Sequence, residues 1–362
     1  MNSRNRRRRR IRNPHEGIRP RTTGAPAKAP RAERVRTGTL RWRTYVGPMY
    51  SAPSISDGTV YVAARGLWAL DAADGSVRWT NADVGHVSSP TVSGDTVYIA
   101  DYGRFYALNA ADGRVRWHRR ITWASHTPPA VADGLVHHVD DSRYLRTFDT
   151  VTGRRRWRVR YRRKDANHSA PVLADGTLYA VDDRGTVRAF DPATGSVRWQ
   201  QSTSARWPTT PLVQDGTLYL GGGVSSNVYA LNTANGEQRW TAWPHLTVSS
   251  FRSTPAIHGN TLFIVGTDHH LYALNATTGH TRWRVLTDGP IHSSPVVADG
   301  TVYFGSEEGH VWAVRADNGR VRWKMKTGGR VESPVVADGV VHVCSRDGYL
   351  YAIEATPTPE KQ

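Results

Sequence analysis

The sequence predicts an all-β fold: an eight-bladed β-propeller built of four-stranded antiparallel blades. Three observations carry this prediction. A unit of about 40 residues recurs along the chain, which is the usual length of a propeller blade. Within each unit, apolar residues alternate with small or polar ones, as in half-buried strands. Finally, the start of the chain contains the strand that the last unit lacks, so the ring can close.

Each unit opens with a small residue and a proline, followed by a strand, a tight turn and a second strand. In the first unit the turn is Asp57-Gly58, and the second strand begins at Thr59. Asp-Gly pairs supply the positive φ angles that two-residue hairpins need. The opening prolines are 37 to 44 residues apart: Pro53, Pro90, Pro129, Pro171, Pro211, Pro255, Pro295 and Pro334.

The second half of each unit reads Ala-x-Asp/Asn-x-x-Asp/Thr/Asn-Gly-x-x-x-Trp. The closing tryptophans are Trp42, Trp79, Trp117, Trp157, Trp199, Trp240, Trp283 and Trp323. The last unit ends near Ala355 without such a tryptophan, whereas Thr39 to Trp42 provide the missing strand at the other end of the chain. We therefore expect the N-terminal strand to complete the C-terminal blade and remove the free sheet edges.

This motif resembles the tryptophan-docking motif of the PQQ-like (pyrroloquinoline quinone) repeat propellers over residues 39 to 355. The match is full from Ala189 to Trp199, while Thr147 and Arg315 depart from it. The resemblance implies that the eight closing tryptophans are structural, each packed between an Ala of its own blade and a Gly peptide of a neighbour. The chain is more similar to the outer-membrane assembly-factor (BamB-like) propellers than to the quinoprotein dehydrogenases.

The positive charge is concentrated at the N-terminus. Residues 1–38 hold 13 Lys or Arg and two Glu, so they carry +11 of the net charge of +17. Four prolines and the absence of apolar periodicity predict a disordered basic tail over 1–38. The propeller then spans 39–355 and a short C-terminal tail spans 356–362. An arginine-rich arm of this kind favours a non-specific anionic partner such as nucleic acid, one alternative function.

An enzymatic function is not favoured. The resemblance makes a quinone-dependent oxidoreductase an alternative, since those relatives have a vicinal cysteine pair under the quinone and hold Ca²⁺ with Glu, Asn and Asp. Here Cys344 is the sole cysteine, so that pair cannot form. No catalytic or phosphate-binding motif occurs, and Gly221-Gly222-Gly223 indicates a flexible hairpin. We expect no catalytic residue, no metal ligand and no cofactor, with quinone and calcium left as an alternative.

The remaining candidates belong to a binding surface on the face that carries the inter-blade connections. In four units, the position three residues before the opening proline is occupied by His126, His168, Arg252 and His292. The first unit has Tyr50 at the equivalent position. Three further tryptophans lie in these connections: Trp123, Trp207 and Trp243. Loop tryptophans beside His and Arg are typical of protein interfaces.

The sequence therefore predicts a non-catalytic scaffold that holds a protein, peptide or other ligand on its loop face. No apolar run reaches the roughly 18 residues of a membrane span. With no signal peptide or lipobox recognised, we expect a cytoplasmic monomer. The partner itself is not predicted.

Overall fold

The computed structural model describes residues 35–85, 88–122, 127–140, 144–160, 169–244 and 250–356. In this part of the chain every regular element is a strand, and the strands form eight sheets. The predicted eight-bladed propeller of four-stranded antiparallel blades is confirmed. The predictions for the two tails concern residues 1–34 and 357–362, which lie outside the described residues.

The blades are numbered here in chain order. The strands of blades one to four are β3 (Ser54–Ser56), β4 (Thr59–Ala64), β5 (Gly66–Asp71) and β6 (Val77–Asn81); β7 (Thr91–Ser93), β8 (Thr96–Ala100), β9 (Arg104–Asn109) and β10 (Val115–Arg120); β11 (Ala130–Ala132), β12 (Leu135–Asp140), β13 (Tyr144–Asp149) and β14 (Arg155–Arg160); and β15 (Val172–Ala174), β16 (Thr177–Val181), β17 (Thr186–Phe190) and β18 (Val197–Ser202).

The strands of blades five to eight are β19 (Leu212–Gln214), β20 (Thr217–Gly221), β21 (Val228–Asn232) and β22 (Gln238–Ala242); β23 (Ala256–His258), β24 (Thr261–Val265), β25 (His270–Asn275) and β26 (Thr281–Leu286); β27 (Val296–Ala298), β28 (Thr301–Gly305), β29 (His310–Arg315) and β30 (Val321–Lys326); and β31 (Val335–Ala337), β32 (Val340–Cys344), β33 (Tyr349–Glu354) and the N-terminal β2 (Leu40–Tyr45). A further short strand is β1 (Arg36–Thr37).

The position of a strand in its blade determines its burial. First strands of neighbouring blades contact one another, as β3 does with β7 and β31, so they line the central channel. Second strands are buried almost throughout, whereas outer strands such as β18 alternate between exposed and half-buried residues. Because each hydrophobic cluster joins residues of two adjacent blades, the core lies between the blades rather than within them.

The predicted hairpin turns are present between the first and second strands. Asp57 and Gly58 have φ angles of 47° and 64°. Asp175-Gly176 and Asp299-Gly300 also have positive φ angles at both positions. Glycine accepts this conformation without a steric penalty, and aspartate accepts it more readily than most residues.

The N-terminal segment closes the ring at two blades. Strand β2 pairs with β33, and Trp42 stands opposite Ala352. Strand β1 pairs in parallel with β30 of blade seven, with Arg36 opposite Trp323. The folded unit therefore begins at Val35, four residues before the predicted start of the propeller at residue 39.

Gly38 explains why the folded unit begins early. A Cβ atom on Gly38 would lie 2.8 Å from Cε3 of Trp323, so this close approach requires glycine. Gly38 also stands four residues before Trp42, which is the Gly-x-x-x-Trp spacing of the other blades. The docking motif of blade eight is thus divided between the two ends of the chain, with Ala352 in β33 and with Gly38 and Trp42 in the N-terminal segment.

The closing tryptophans connect neighbouring blades in the same way around the ring. Each stands opposite an Ala of its own blade, or Thr147 in blade three, and presses on a glycine of the next. In seven of the eight, Nε1 donates a hydrogen bond of 2.7–3.0 Å to a backbone carbonyl of the next blade. The exception is Trp283, whose Nε1 has no acceptor among the described residues.

Each closing tryptophan also has an aromatic neighbour in the second strand of its blade. The ring centroids are 5.7–6.1 Å apart, and the partners are Tyr61, Tyr98, His137, Tyr179, Tyr219, Phe263, Tyr303 and His342. Histidine replaces Tyr or Phe at this position in blades three and eight. In blade three, Nδ1 of His137 lies 2.7 Å from Oγ1 of Thr147, which accounts for the Thr that departs from the docking motif.

Candidate interaction site at the channel mouth

A cavity of about 770 Å³ lies where the inter-blade connections meet the central channel. All eight blades contribute residues just before their first strands, and we call this region the channel mouth. Its lining includes Tyr50, Trp207, Arg252, His292, Arg330 and Glu332. Four of the sequence-predicted residues, counting Tyr50, therefore meet at one cavity.

The channel mouth is braced by hydrogen bonds between neighbouring blades. Backbone N–H groups of the residues before the opening prolines donate to hydroxyl groups at the same place in the next blade. The pairs are Ala52 to Ser89, Ala170 to Thr210, Thr254 to Ser294 and Ser294 to Ser333, at 2.7–3.1 Å. These bonds use the small residues that open each unit and fix the rim of the cavity.

Blades six to eight supply a cluster of charged side chains, which we call the mouth cluster: Arg252, His292, Glu307, Arg330, Glu332 and Arg346. Glu332 lies 3.6 Å from Nε of Arg330 and accepts a hydrogen bond of 3.1 Å from Arg346. Glu307 lies 3.5 Å from Nε2 of His292 and 3.9 Å from Arg330. Both carboxylates are therefore already paired within the protein.

Burial determines the charge state of the histidine in this cluster. It lowers the pKa of His292, and the neighbouring Arg330 guanidinium lowers that pKa further. The pKa of Arg330 is also lowered by burial, although a guanidinium stays charged at neutral pH. At neutral pH the cluster thus contains a neutral His292 among charged arginines.

Arg252 differs from the other arginines of the mouth cluster. It is exposed, and within the described ranges its guanidinium makes no hydrogen bond or ion pair. It is close enough to His292 and Arg330 to lower the pKa values of both. A guanidinium held beside other cations and facing a cavity is suited to binding an anion.

Trp207 has an unusual backbone conformation. Its φ is +52°, the left-handed region that bulky residues rarely adopt, and its side chain is 54% exposed. Its N–H donates to the carbonyl of Asp183 at 2.9 Å. Backbone strain of this kind costs about 1–3 kcal/mol and is concentrated at functional positions.

Gly223 holds Trp207 and Arg252 in fixed relation. Its carbonyl accepts a hydrogen bond of 3.1 Å from the N–H of Phe251, next to Arg252, and it forms a bridge with Arg206, next to Trp207. A Cβ atom on Gly223 would lie 2.1 Å from the Trp207 carbonyl oxygen. Gly221-Gly222-Gly223 leads from β20 into the connection to β21, so the predicted hairpin is present. All three glycines are buried, and Gly223 allows a tight backbone contact.

Replacing Trp207 by Asn is expected to raise the free energy of unfolding by about 1 kcal/mol, because Asn tolerates positive φ better than Trp. Chemical denaturation followed by circular dichroism measures the change. Trp243→Asn is the matched control, since Trp243 is 63% exposed but has no positive φ. If Trp207→Asn instead lowered stability by more than about 1 kcal/mol, the indole would be a packing residue rather than an exposed, strained one.

One further predicted site residue that the structure describes, Trp243, is not brought to the cavity. Trp243 directly follows the outer strand β22 and does not line the channel mouth. Trp123, His126 and His168 lie outside the described residues. Arg330, Glu332 and Arg346 were not predicted from the sequence, because in blade eight the position three residues before the proline is Val331. The sequence feature that could have indicated two of them is the pair of opposite charges, Arg330 and Glu332, on either side of Val331.

The donor groups do not fit a quinone with calcium. The carboxylate that lines the cavity, Glu332, is held by Arg330 and Arg346 rather than left available to a cation. Cys344 is buried in β32, and burial raises the pKa of its thiol well above the usual value. Across the described residues, no three His, Cys, Asp or Glu side chains are grouped as metal ligands would be. No catalytic step follows from this arrangement.

Comparison with known proteins identifies the family. A family model described as outer membrane protein assembly factor BamB matches residues 34–89, 82–206 and 224–355, well over half of the chain. The chain belongs to this family. The resemblance to PQQ-like repeat propellers of the BamB-like kind is thereby confirmed. No match was found among curated protein sequences.

Solved structures of several propellers are similar to this chain. BamB from Moraxella catarrhalis has a TM-score of 0.74 at 19% identity, covering 90% of this chain and 98% of that one. Saccharomyces cerevisiae Sqt1 has a TM-score of 0.77 at 10% identity, covering 90% and 100%. Quinohemoprotein alcohol dehydrogenase from Comamonas testosteroni has a TM-score of 0.70 at 14% identity, covering 89% and 77%. At these identities the likeness shows the fold alone.

Proposed function

We propose that this BamB-like propeller is a non-catalytic interaction scaffold that binds a protein or peptide at the channel mouth. One observation carries the proposal: the strained, exposed Trp207 is fixed through Gly223 beside Arg252, which has no partner among the described residues. Aromatic and arginine side chains are the residues that most often dominate binding energy at protein interfaces. The rigid rim keeps them in place before a partner arrives, which lowers the entropy cost of binding.

The scaffold is proposed to work without a cofactor. The paired state of Glu332 and the burial of Cys344 support this, since neither is available to a metal or quinone. Absorbance titration and native mass spectrometry with added pyrroloquinoline quinone and Ca²⁺ test it directly. We expect no stoichiometric complex, and a one-to-one complex would contradict the proposal.

Affinity capture of the full chain tests the interaction face. We expect a Trp207→Asn, Arg252→Gln double variant to lose the proteins that the unchanged chain captures. Arg154→Gln is the matched control, because Arg154 is an exposed arginine in the turn between β13 and β14, at the opposite edge of its blade. Capture of the same proteins in the same amounts by all three chains would contradict the proposal.

The basic N-terminal segment supports a second binding role for anionic polymers. Deleting residues 1–34, which removes 12 Arg or Lys, is expected to abolish low-salt DNA binding. In the full chain, the logarithm of the DNA affinity should fall linearly with the logarithm of salt concentration in a filter-binding titration. Unchanged affinity after the deletion would show that the propeller, not the segment, binds DNA.

The cellular location and the oligomeric state of the protein remain predictions from the sequence. The part of the chain that the structure describes contains no helix of the length and apolarity needed to cross a bilayer. We propose a cytoplasmic monomer, to be tested by cell fractionation and by light scattering coupled to size-exclusion chromatography.

A further inference from the structure

On the basis of the proposed function, we propose that the channel mouth takes one carboxylate from an acidic peptide segment of the partner. The Arg252 guanidinium binds this carboxylate, and an apolar residue beside the acid lies against Trp207. The proposal thus defines the chemistry of the partner at this face.

The charge balance of the mouth cluster leads to this chemistry. The cluster holds three guanidinium groups and two carboxylates: Arg330 and Arg346 pair with Glu307 and Glu332, whereas Arg252 is in none of these ion pairs. One positive charge is therefore left over, and it is carried by the arginine that has no partner among the described residues. An exposed guanidinium on the rim of a cavity favours an anion that completes the pairing.

The internal carboxylates do not fill that place. Glu332 is held from two sides by Arg330 and Arg346, and Glu307 lies between His292 and Arg330. Moving either one to Arg252 would leave another half-buried arginine without its partner, which is costly. Neither of these two carboxylates is therefore free to pair with Arg252, and the proposed carboxylate comes from another molecule.

The single excess charge also selects among anions. A carboxylate brings one negative charge and matches the planar guanidinium with two parallel hydrogen bonds. A phosphate monoester brings more than one charge at neutral pH and would leave the cluster negative. The basic segment 1–34 of this chain has the wrong sign to occupy the site.

Backbone contacts fix the position of the apolar part of the site, Trp207, relative to Arg252. Because Gly223 contacts Arg206 on one side and Phe251 on the other, Trp207 and Arg252 are held at neighbouring places on the rim. Val224, which also lines the cavity, donates its N–H to the Arg206 carbonyl at 3.1 Å. An extended segment with an apolar residue next to its acid can therefore contact both side chains at once.

Peptide binding to the full-length protein tests the proposal. The probe is acetyl-Gly-Leu-Glu-Leu-Gly-amide with an uncharged fluorescent label, whose sole charge is the glutamate. Matched peptides carry glutamine or phosphoserine in place of the glutamate, and fluorescence anisotropy gives the affinities. The protein variants are Arg252→Gln and the control Arg154→Gln, both at exposed sites, with thermal unfolding used to verify that each is folded.

We expect the glutamate peptide to bind about tenfold more tightly than the glutamine peptide, as a charged hydrogen-bonded pair commonly contributes. Arg252→Gln should remove that difference and Arg154→Gln should keep it. Equal binding of the two peptides, no binding, or binding unaffected by Arg252→Gln would overturn the proposal, as would tighter binding of the phosphoserine peptide. If partner capture still depended on Trp207 in these cases, the interaction face would stand and only its acidic ligand would be wrong.

Discussion

Replacing Trp323 by Ala is expected to lower the free energy of unfolding by about 3–5 kcal/mol, the usual cost of truncating a fully buried tryptophan. Trp323 is fully buried and donates from Nε1 to the Ala355 carbonyl at 3.0 Å. Its ring is tilted against that of Tyr303, with 5.9 Å between the centroids. It also contacts Gly38, so it connects blade seven to the N-terminal segment that closes the ring. Its removal should therefore weaken both the core and the closure.

Denaturant unfolding of purified protein measures this effect, with Trp243→Ala as the control. Because the Trp243 side chain is 63% exposed, its truncation should change stability by less than about 0.5 kcal/mol. A cost below about 1 kcal/mol for Trp323→Ala would show that the closing tryptophans do not hold the ring together.

The free energy of unfolding is also expected to fall steeply as the pH is lowered from 6.5 to 5. Burial lowers the pKa of His137 and of His342 to about 4, and that of His138 to about 3. All three lie inside the blades, where His138 stacks on Phe105 and His342 packs against Trp42. Each is therefore kept neutral in the folded protein.

The direction of the effect follows from proton linkage. Between pH 6.5 and about 4, the unfolded chain binds a proton at each histidine while the folded chain does not, so stability falls as the pH falls. The contribution is fully present above pH 6.5. At pH 5 the contribution of each histidine to the free energy of unfolding is smaller by about 2 kcal/mol. Asp149, whose pKa is lowered to about 2 by its hydrogen bonds, stays ionised in this window.

His342→Tyr isolates the histidine contribution, since Tyr is the residue that most blades carry at this place beside the closing tryptophan. The loss of stability between pH 6.5 and pH 5 should be smaller by about 2 kcal/mol in this variant. His258→Gln, at an exposed position on β23, should show the same loss as the unchanged protein. Equal losses in all three proteins would contradict the assignment of a buried, neutral His342.

The fold could be predicted because the sequence pattern of one blade occurs eight times along the chain. A strand or turn that is ambiguous in one blade is defined by the same position in the others. The start of the folded unit could not be predicted, since β1 has two residues and pairs with blade seven rather than with its sequence neighbours. The sequence feature that could have indicated this start is Gly38, which has the Gly-x-x-x-Trp spacing to Trp42.

The candidate site could be predicted only in part, because it is formed by differences between blades rather than by the repeat. Arg252, His292 and Trp207 could be found by their places in the connections. Their surroundings could not, since His292 lies against Glu307 from another turn of its own blade, and Arg330 and Glu332 come from blade eight. The positive φ of Trp207 likewise follows from the backbone contact with Gly223, which no local pattern indicates.

Site-specific photo-crosslinking most directly tests the claim that the channel mouth binds a partner. Benzoylphenylalanine is placed at position 207, or at the control position 151, where Val151 is exposed in the turn between β13 and β14 at the opposite edge of the blade. We expect a discrete crosslinked partner from position 207 that is lost on Arg252→Gln, and no crosslinked partner from position 151. The same crosslinks from both positions, or none from position 207, would contradict it.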